Sequence, residues 1–319
     1  MTIPRPAFLF LLALCFCGLT ARAAQSPAPR LLVIIVVDQF RADYLERFGP
    51  WLGHDGFRRL QREGTQFPNA RYRHAITQTA AGHAQMSTGA FAERHGIIGN
   101  DWLDRDEWAM VNSVEDNTSP LVGVTPAELG PGAALTPAKS GRSPRHLLVD
   151  TLADALKARD GDRCRVVGVS AKDRAAILLA GRHGDVALWQ EAGRFISSRY
   201  YGPALPDWVN EFNRTHRPAD AFGTTWERLL PAAVYDKVQG PDDVVGEETG
   251  LGLGRVFPHP INGGEAQPGR RFLVAWENTP LATDHLAQFA EQVITKERLG
   301  HHEGTDFLGL SFSSFDELG

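Results

Sequence analysis

Apolar and polar residues follow two alternating patterns along the chain. Leu31–Val37 is an unbroken Leu/Val/Ile run, the pattern of a strand buried on both faces. Further strands are predicted over residues 165–170, 185–189, 272–276 and 307–313. Between them the spacing is helical. Residues 43–64 carry Tyr44, Leu45, Phe48, Phe57 and Leu60 around the turn pair Gly49-Pro50, which predicts a broken helix. Residues 80–89 are rich in small side chains and predict another helix. Leu147, Leu148, Thr151, Leu152, Ala155 and Leu156 repeat at helical spacing until Gly161 closes the segment. Residues 284–299 predict a further helix, with Asp284-His285 at its start as a cap. Two stretches keep no steady period: 113–145, heavy in Pro, Gly, Ser and Thr, and 204–260, with scattered Trp, Pro and Gly. Both read as insertions, the second as a cap that shapes access. No internal repeat is visible. Strands alternating with helices predict an α/β fold with a largely parallel central sheet covered by helices on both faces.

The N-terminus breaks this alternation. Arg5 precedes an apolar run from Ala7 to Leu19, and Ala21-Arg22-Ala23 offers a small-x-small cleavage site. Residues 1–23 are therefore expected to be a secretory signal peptide. The run is shorter than the roughly 20 residues that span a bilayer, so no stable membrane anchor is expected after cleavage, and the location is expected to be periplasmic or secreted. Phe16 is too bulky to precede a lipid-bearing Cys17. Cleavage removes Cys15 and Cys17 and leaves Cys164, so the exported fold must stand without an internal disulfide. Cys164, between Arg163 and Arg165, sits in no cysteine-enzyme motif and reads as a packed small residue. With 43% hydrophobic and 22% charged residues, the chain has the makings of an ordinary core, which excludes wholesale disorder. A net charge of −5 gives no electrostatic case for a nucleic-acid partner. It leaves an anionic substrate open, because local cations or metals override net charge. The protein is expected to be a monomer.

Candidate chemistry lies at the ends of the strands, where open α/β sheets bind their ligands. The first strand ends in Asp38, the one over 165–170 in Lys172-Asp173-Arg174, and the one over 307–313 in Ser314 and Asp316. Three strand ends thus deliver the acidic Asp38 and Asp316 and the cations Lys172 and Arg174 to one edge. A carboxylate directly after an apolar run is costly to leave unpaired; metal coordination at Asp38 and a helix N-cap near Arg41 are both remedies. Thr79 stands before the small-residue helix. A hydroxyl there is either a cap or a nucleophile beside a helix N-terminus that can hold an anion. His83 is either its base or a packed residue of the first turns. Gly96 and Gly99 precede Asn100, which places an amide on a tight loop where it can donate to a phosphoryl or carbonyl oxygen. No Gly-x-Ser-x-Gly elbow occurs, which argues against a serine hydrolase.

Taken together, Val36-Val37-Asp38-Gln39-Phe40-Arg41, Thr77-Gln78-Thr79-Ala80-Ala81-Gly82-His83, His95-Gly96-Ile97-Ile98-Gly99-Asn100-Asp101 and Ser170-Ala171-Lys172-Asp173-Arg174 resemble the alkaline phosphatase superfamily. Within it the set is similar to the type I phosphodiesterase/nucleotide pyrophosphatase branch, and most to the bacterial phosphate-irrepressible alkaline phosphatases with a threonine nucleophile. Order and spacing match over about residues 30–319, and the Lys-x-Arg element is the most specific part. The resemblance implies two Zn2+ ions per active site. Asp38 and Thr79 would ligate one, and Asp316, in Ser314-Phe315-Asp316-Glu317-Leu318-Gly319, would begin the ligand motif of the other. It implies a phosphothreonine intermediate at Thr79, with Asn100, Lys172, Arg174 and the Thr79 backbone N–H holding the phosphoryl oxygens. The implied reaction, in the full-length parent, is phosphate monoester hydrolysis of small phosphorylated substrates, the chemistry of two-metal and charge-clamp sites. Lys172 and Arg174 favour the dianionic monoester. The alternatives are a phosphodiesterase or nucleotide pyrophosphatase, and an inactive truncated or non-catalytic exported protein.

In one respect the sequence departs from that pattern. The family motif carries a histidine immediately after the position of Gly319, then an Asp-His pair and another histidine. Asp284-His285 and His301-His302 come before Asp316 and do not match in order. Residues 24–319 are therefore expected to be the N-terminal part of a larger catalytic domain. By itself the chain is expected to bind zinc weakly and turn over little, since zinc takes about four ligands.

Overall fold

The computed structural model describes residues 28–125, 141–244 and 250–318; the signal segment predicted over residues 1–23 and part of the predicted 113–145 insertion lie outside them. The strands are β1 (Leu31–Val37), β2 (Asp101–Asp104), β3 (Ala109–Asn112), β4 (Glu115–Val122), β5 (Gly141–Arg142), β6 (Val166–Ser170), β7 (Val186–Glu191), β8 (Arg194–Ser198), β9 (Thr224–Trp226), β10 (His259–Ile261) and β11 (Asp306–Phe312). The helices are α1 (Tyr44–Arg47), α2 (Phe57–Glu63), α3 (Thr79–Thr88), α4 (Ala92–His95), α5 (Leu152–Asp160), α6 (Asp173–Ala180), α7 (Asp207–Thr215), α8 (Ala232–Val238), α9 (Arg270–Glu277), α10 (Pro280–Lys296) and α11 (Ser314–Leu318).

Seven strands form one sheet in the order β1-β11-β6-β7-β8-β4-β5, with small two-stranded sheets β9-β10 and β2-β3 beside it. β1, β11, β6 and β7 run parallel. β8, β4 and β5 continue the sheet antiparallel, so the sheet is mixed and its parallel half is the α/β core. The described part of residues 113–145 joins this sheet as β4 and β5. Side chains alternate between two apolar layers. Val167, Val169, Leu188, Leu308 and Leu310 face α10 and α7 through Leu286, Phe289, Val293, Val209 and Phe212. Ala187, Trp189 and Ile196 face α3 and α6 through Ala80, Ala84, Ala176, Ile177 and Ala180.

Two glycines set how closely α6 lies on the sheet. A Cβ at Gly168 would overlap the carbonyl oxygen of Ala176, and one at Gly309 would stand 2.7 Å from Leu179 Cβ. Backbone therefore packs directly on helix at neighbouring strands, as glycine allows in a strand where another backbone approaches closely. Because β6 and α6 are joined by only Ala171 and Lys172, this seating also fixes where the helix begins.

Several expectations from sequence change here. Residues 272–276 are helical within α9: Phe272, Ala275 and Trp276 are buried at i, i+3 and i+4, and a five-residue apolar run does not separate strand from helix. β1 is an edge strand with β11 as its one neighbour among the described residues, and Ile35 is 58% exposed; a continuous apolar run does not distinguish an edge from a centre. α5 begins only at Leu152, where Thr151 and Asp154 form a reciprocal capping box. α10 begins at Pro280 with Thr279 as its N-cap residue, so Asp284-His285 lie in its second turn and are not a cap. Cys164 is packed and 2% exposed, and burial pushes its thiol pKa up. His302 pairs with buried Asp306 at 2.9 Å, a structural contact at the opposite end of β11 from Asp316. No helix among the described residues is long and apolar enough to cross a membrane.

Gly168→Ala should lower the free energy of unfolding by about 2–3 kcal/mol, read as a lower midpoint in urea denaturation, because the strand or the helix must move to accept one methyl group. An unchanged midpoint would show that α6 is not seated on backbone.

Candidate functional site

The parallel strands end together. β1 and β11 are in register through Val37 and Phe312, and the Asp38 N–H donates to the Phe312 carbonyl at 2.8 Å. One residue further, the Ser313 hydroxyl donates to Asp38 Oδ2 at 3.2 Å. Gln39 turns the chain at a φ of 55°, a left-handed conformation that non-glycine residues adopt at a cost, and this leaves the Asp38 side chain at the strand end. Asp38 is 9% exposed, and beyond the serine its nearest partner is His83 Nε2 at 3.9 Å. A buried carboxylate with one long hydroxyl donor is under-satisfied for its charge.

Thr79 is the first residue of α3, not its cap. Gln78 occupies the N-cap position and makes no side-chain capping bond. The cap arrives from a distance: Asn100 Oδ1 accepts from the Ala80 N–H at 2.9 Å, while the Asn100 N–H donates to Gln78 Oε1 at 2.7 Å. This crossed pair ties the 96–100 loop to the helix. It orients the Asn100 amide with its oxygen committed and its NH2 as the remaining donor. It also leaves the Thr79 hydroxyl uncommitted at a helix N-terminus.

His83, one turn into α3, is 1% exposed. Its Nδ1–H donates to the Thr79 carbonyl at 2.8 Å, and its Nε2 accepts from the Ser311 hydroxyl at 2.8 Å. Burial pushes its pKa below the ordinary histidine value, with Asp38 opposing the shift. Both nitrogens are occupied, so His83 ties α3 to β11 and is not placed to take the Thr79 proton. Of the two readings open from sequence, the structure gives the packed one.

Asp38, Thr79, His83, Asn100 and Asp316 line one cleft of about 710 Å3. The same cleft holds His74, whose ring nitrogens are both buried and without a hydrogen-bond partner among the described residues. Lys172 and Arg174 line an adjoining pocket of about 250 Å3 with Ser313, Glu191, Glu277 and Glu317. The two cavities meet at α11. Phe315 packs its ring 5.4 Å from Phe40 and 5.6 Å from Tyr44, and the Ser314 and Thr283 hydroxyls are hydrogen-bonded. With α11 held this way, Asp316 reaches Lys172 Nζ in an ion pair, and Glu317 lies 2.9 Å from the same nitrogen. Arg174 Nε, by contrast, is buried with no partner among the described residues. Its Nη1 lies 3.7 Å from Asp173, and Asp173 is itself taken by Arg142 at 2.5 Å. A buried guanidinium N–H without a partner suits an anion. On the far wall, burial and then the charges of Glu317 and Glu191 raise Glu277 to about 7, and burial followed by Asp173 raises Glu191.

The residues picked from sequence thus reach one sheet edge, with one unforeseen pairing: Lys172 and Asp316 bind each other. Glu277, Glu191 and Gln78 escaped the sequence reading, because nothing in their local patterns marks them and only tertiary structure brings them in. The donors fit a divalent cation in kind, since Asp38 is an under-satisfied buried carboxylate and the Thr79 and Asp316 oxygens share its cleft. In number they fall short: no group of three or more His, Cys, Asp or Glu side chains converges among the described residues.

Residues 32–319 match the family model described as type I phosphodiesterase/nucleotide pyrophosphatase, and the chain belongs to that family. Alkaline phosphatase PafA of Elizabethkingia meningoseptica is 35% identical over 297 residues, covering 92% of this chain and 52% of PafA. Alkaline phosphatase PhoV of Synechococcus elongatus is 36% identical over 294 residues, covering 91% of this chain and 50% of PhoV. The crystal structure of wild-type PafA matches with a TM-score of 0.81 at 35% identity, over 92% of this chain and 54% of that one. A crystal structure of a PafA variant with one threonine, one asparagine, one lysine and one arginine replaced also matches with a TM-score of 0.81. The chain spans about half the length of the curated relatives it matches.

Asn100→Ala should cost about 1 kcal/mol of stability by removing the distant cap of α3, while Asn100→Asp, which keeps the acceptor, should recover most of it. Chemical denaturation of the three proteins checks this, and equal stability of all three would deny the capping role.

Proposed function

We propose that this site, within a protein of its relatives' full length, hydrolyses phosphate monoesters through a phosphothreonine at Thr79. The observation that carries the reading is the uncommitted Thr79 hydroxyl at the N-terminus of α3, in a cleft with the Asn100 amide and beside the pocket of Arg174, whose Nε has no partner among the described residues. In this reading Thr79 Oγ attacks phosphorus as the bond to the ester oxygen breaks, and water then cleaves the phosphothreonine. The Thr79 N–H and the Asn100 NH2 hold phosphoryl oxygens at the helix end. Arg174 and Lys172 meet the remaining charge, the arginine as a fork and the lysine as a point charge. Zinc, held by Asp38 and Thr79 on one side and by Asp316 on the other, would lower the pKa of the threonine hydroxyl and offset developing charge. For Asp316 to serve in this way, Lys172 must leave it, and the phosphoryl group is what draws the lysine away. The amino-terminal segment and the likeness to alkaline phosphatases support a periplasmic or secreted location.

One observation favours a second reading, phosphodiester hydrolysis. With Asp316 and Glu317 both on Lys172, Arg174 alone meets the phosphoryl group, and a single cation suits a monoanionic diester.

Rates of the zinc-loaded protein at its relatives' full length on an aryl phosphate and a bis-aryl phosphate separate the two. Thr79→Ala should abolish both activities. Lys172→Ala and Arg174→Ala should each cut monoester kcat/KM by about 100-fold or more, in the range of single electrostatic contacts in active sites, and diester kcat/KM by less than tenfold. Equal losses on the two substrates would count against the monoesterase.

A further inference from the structure

Next to the clamp pocket, the segment between α7 and α9 folds into an aromatic layer. Trp226 ends β9, Tyr235 lies on α8, Phe257 precedes β10 and His259 begins it. Their rings form one connected cluster. Trp226 meets Phe257 at 5.3 Å and 83°, Phe257 meets His259 at 4.3 Å, and Tyr235 lies 6.0 Å from Phe257. All four are half-buried, so the cluster presents open aromatic surface, and it lines a cavity of about 670 Å3. That is the size of a small-molecule site.

The polar groups around this cavity are mostly committed. Asp242 accepts from Arg228 at 2.6 Å and from the Phe257 N–H at 2.9 Å. Arg255 gives its Nη2 to Asp243 at 2.5 Å and to the Val244 carbonyl at 2.8 Å. Its Nε is buried and has no partner among the described residues. The accessible lining is therefore chiefly aromatic. Its position gives it a role. Glu317 lines both this cavity and the pocket of Lys172 and Arg174, and lies 2.9 Å from Lys172 Nζ. The aromatic cavity begins where the phosphoryl clamp ends.

We infer that this cavity is the subsite for the organic part of the ester, and that it selects planar aryl or heteroaryl groups. The inference rests on the phosphate-ester reading of the clamp. Ring faces of Trp226, Phe257 and Tyr235 take the aromatic group by offset or edge-to-face packing. An alkyl ester of the same phosphate meets the clamp alone.

Phenylphosphonate and methylphosphonate carry the same head group with and without a ring, and neither is an ester. Titration calorimetry of both against the protein should give about tenfold tighter binding of phenylphosphonate. Phe257→Leu, which keeps apolar volume and removes the ring, should bring the two within twofold and leave methylphosphonate unchanged. Leu251→Trp, which fills the cavity from its exposed rim, should do the same without deleting a packed ring. Arg174→Ala should weaken both ligands alike. Equal binding of the two phosphonates to the parent protein, or an unchanged ratio in both cavity variants, would overturn the subsite and leave the clamp standing. Failure of both phosphonates to bind would overturn the clamp, and the subsite with it.

Discussion

Helix α6 rests on the sheet with backbone against backbone. At Gly168 the strand backbone meets the Ala176 carbonyl and at Gly309 it meets Leu179 Cβ, with no room for a strand side chain, and the site depends on that contact. It places the start of α6 at the carboxyl end of the parallel strands, where Lys172 and Arg174 emerge. The other parts gather around the same edge. The β1–β11 register sets Asp38 beside Ser313. β11 runs into α11, which brings Asp316 to Lys172. Ala80 and Ala84, fully buried against α6 residues, seat α3 beside it, and Thr79 heads that helix. A shift of α6 on the sheet would move the cations relative to the hydroxyl, and phosphoryl transfer depends mainly on such positioning.

The chemistry of Thr79 follows from how its helix is capped. A threonine at this point would ordinarily turn its hydroxyl onto the backbone. Asn100 takes that task from outside the helix, so the hydroxyl is left for other partners. The nearby histidine is no base, because its two nitrogens bind the Thr79 carbonyl and Ser311. What remains in the cleft with the threonine is the under-satisfied carboxylate of Asp38. Across the cleft, Lys172 is balanced by Asp316 and Glu317, and Arg174 Nε has no partner among the described residues. The site is thus arranged around an anion and cations that complement it.

Much of this was legible in the sequence, for particular reasons. The buried strand at Val166–Ser170 and the one at Asp306–Phe312 are long apolar runs that end in charged residues, and such endings are local facts. Thr79, Asn100, Lys172 and Arg174 stood out by motif and spacing. What could not be read was decided at a distance. Residues 272–276 are helical because Phe272 and Trp276 pack against Ile261, which the run itself does not reveal. The antiparallel half of the sheet arises from β8, a strand whose pattern follows β7 too closely to be separated from it. The pairing of Lys172 with Asp316 joins residues from two strand ends, and the capping of α3 by Asn100 joins a helix to a loop. Each was visible as a residue and not as a bond.

The central claim is that Thr79 carries the phosphoryl group during turnover. Its most direct test is mass spectrometry of the Thr79-bearing peptide after the protein is mixed with an aryl phosphate monoester and quenched in acid. One added phosphoryl group on Thr79, absent from Thr79→Ala protein, is the predicted result. Turnover of the ester with Thr79 unmodified, or hydrolysis that persists in Thr79→Ala protein, would contradict the account.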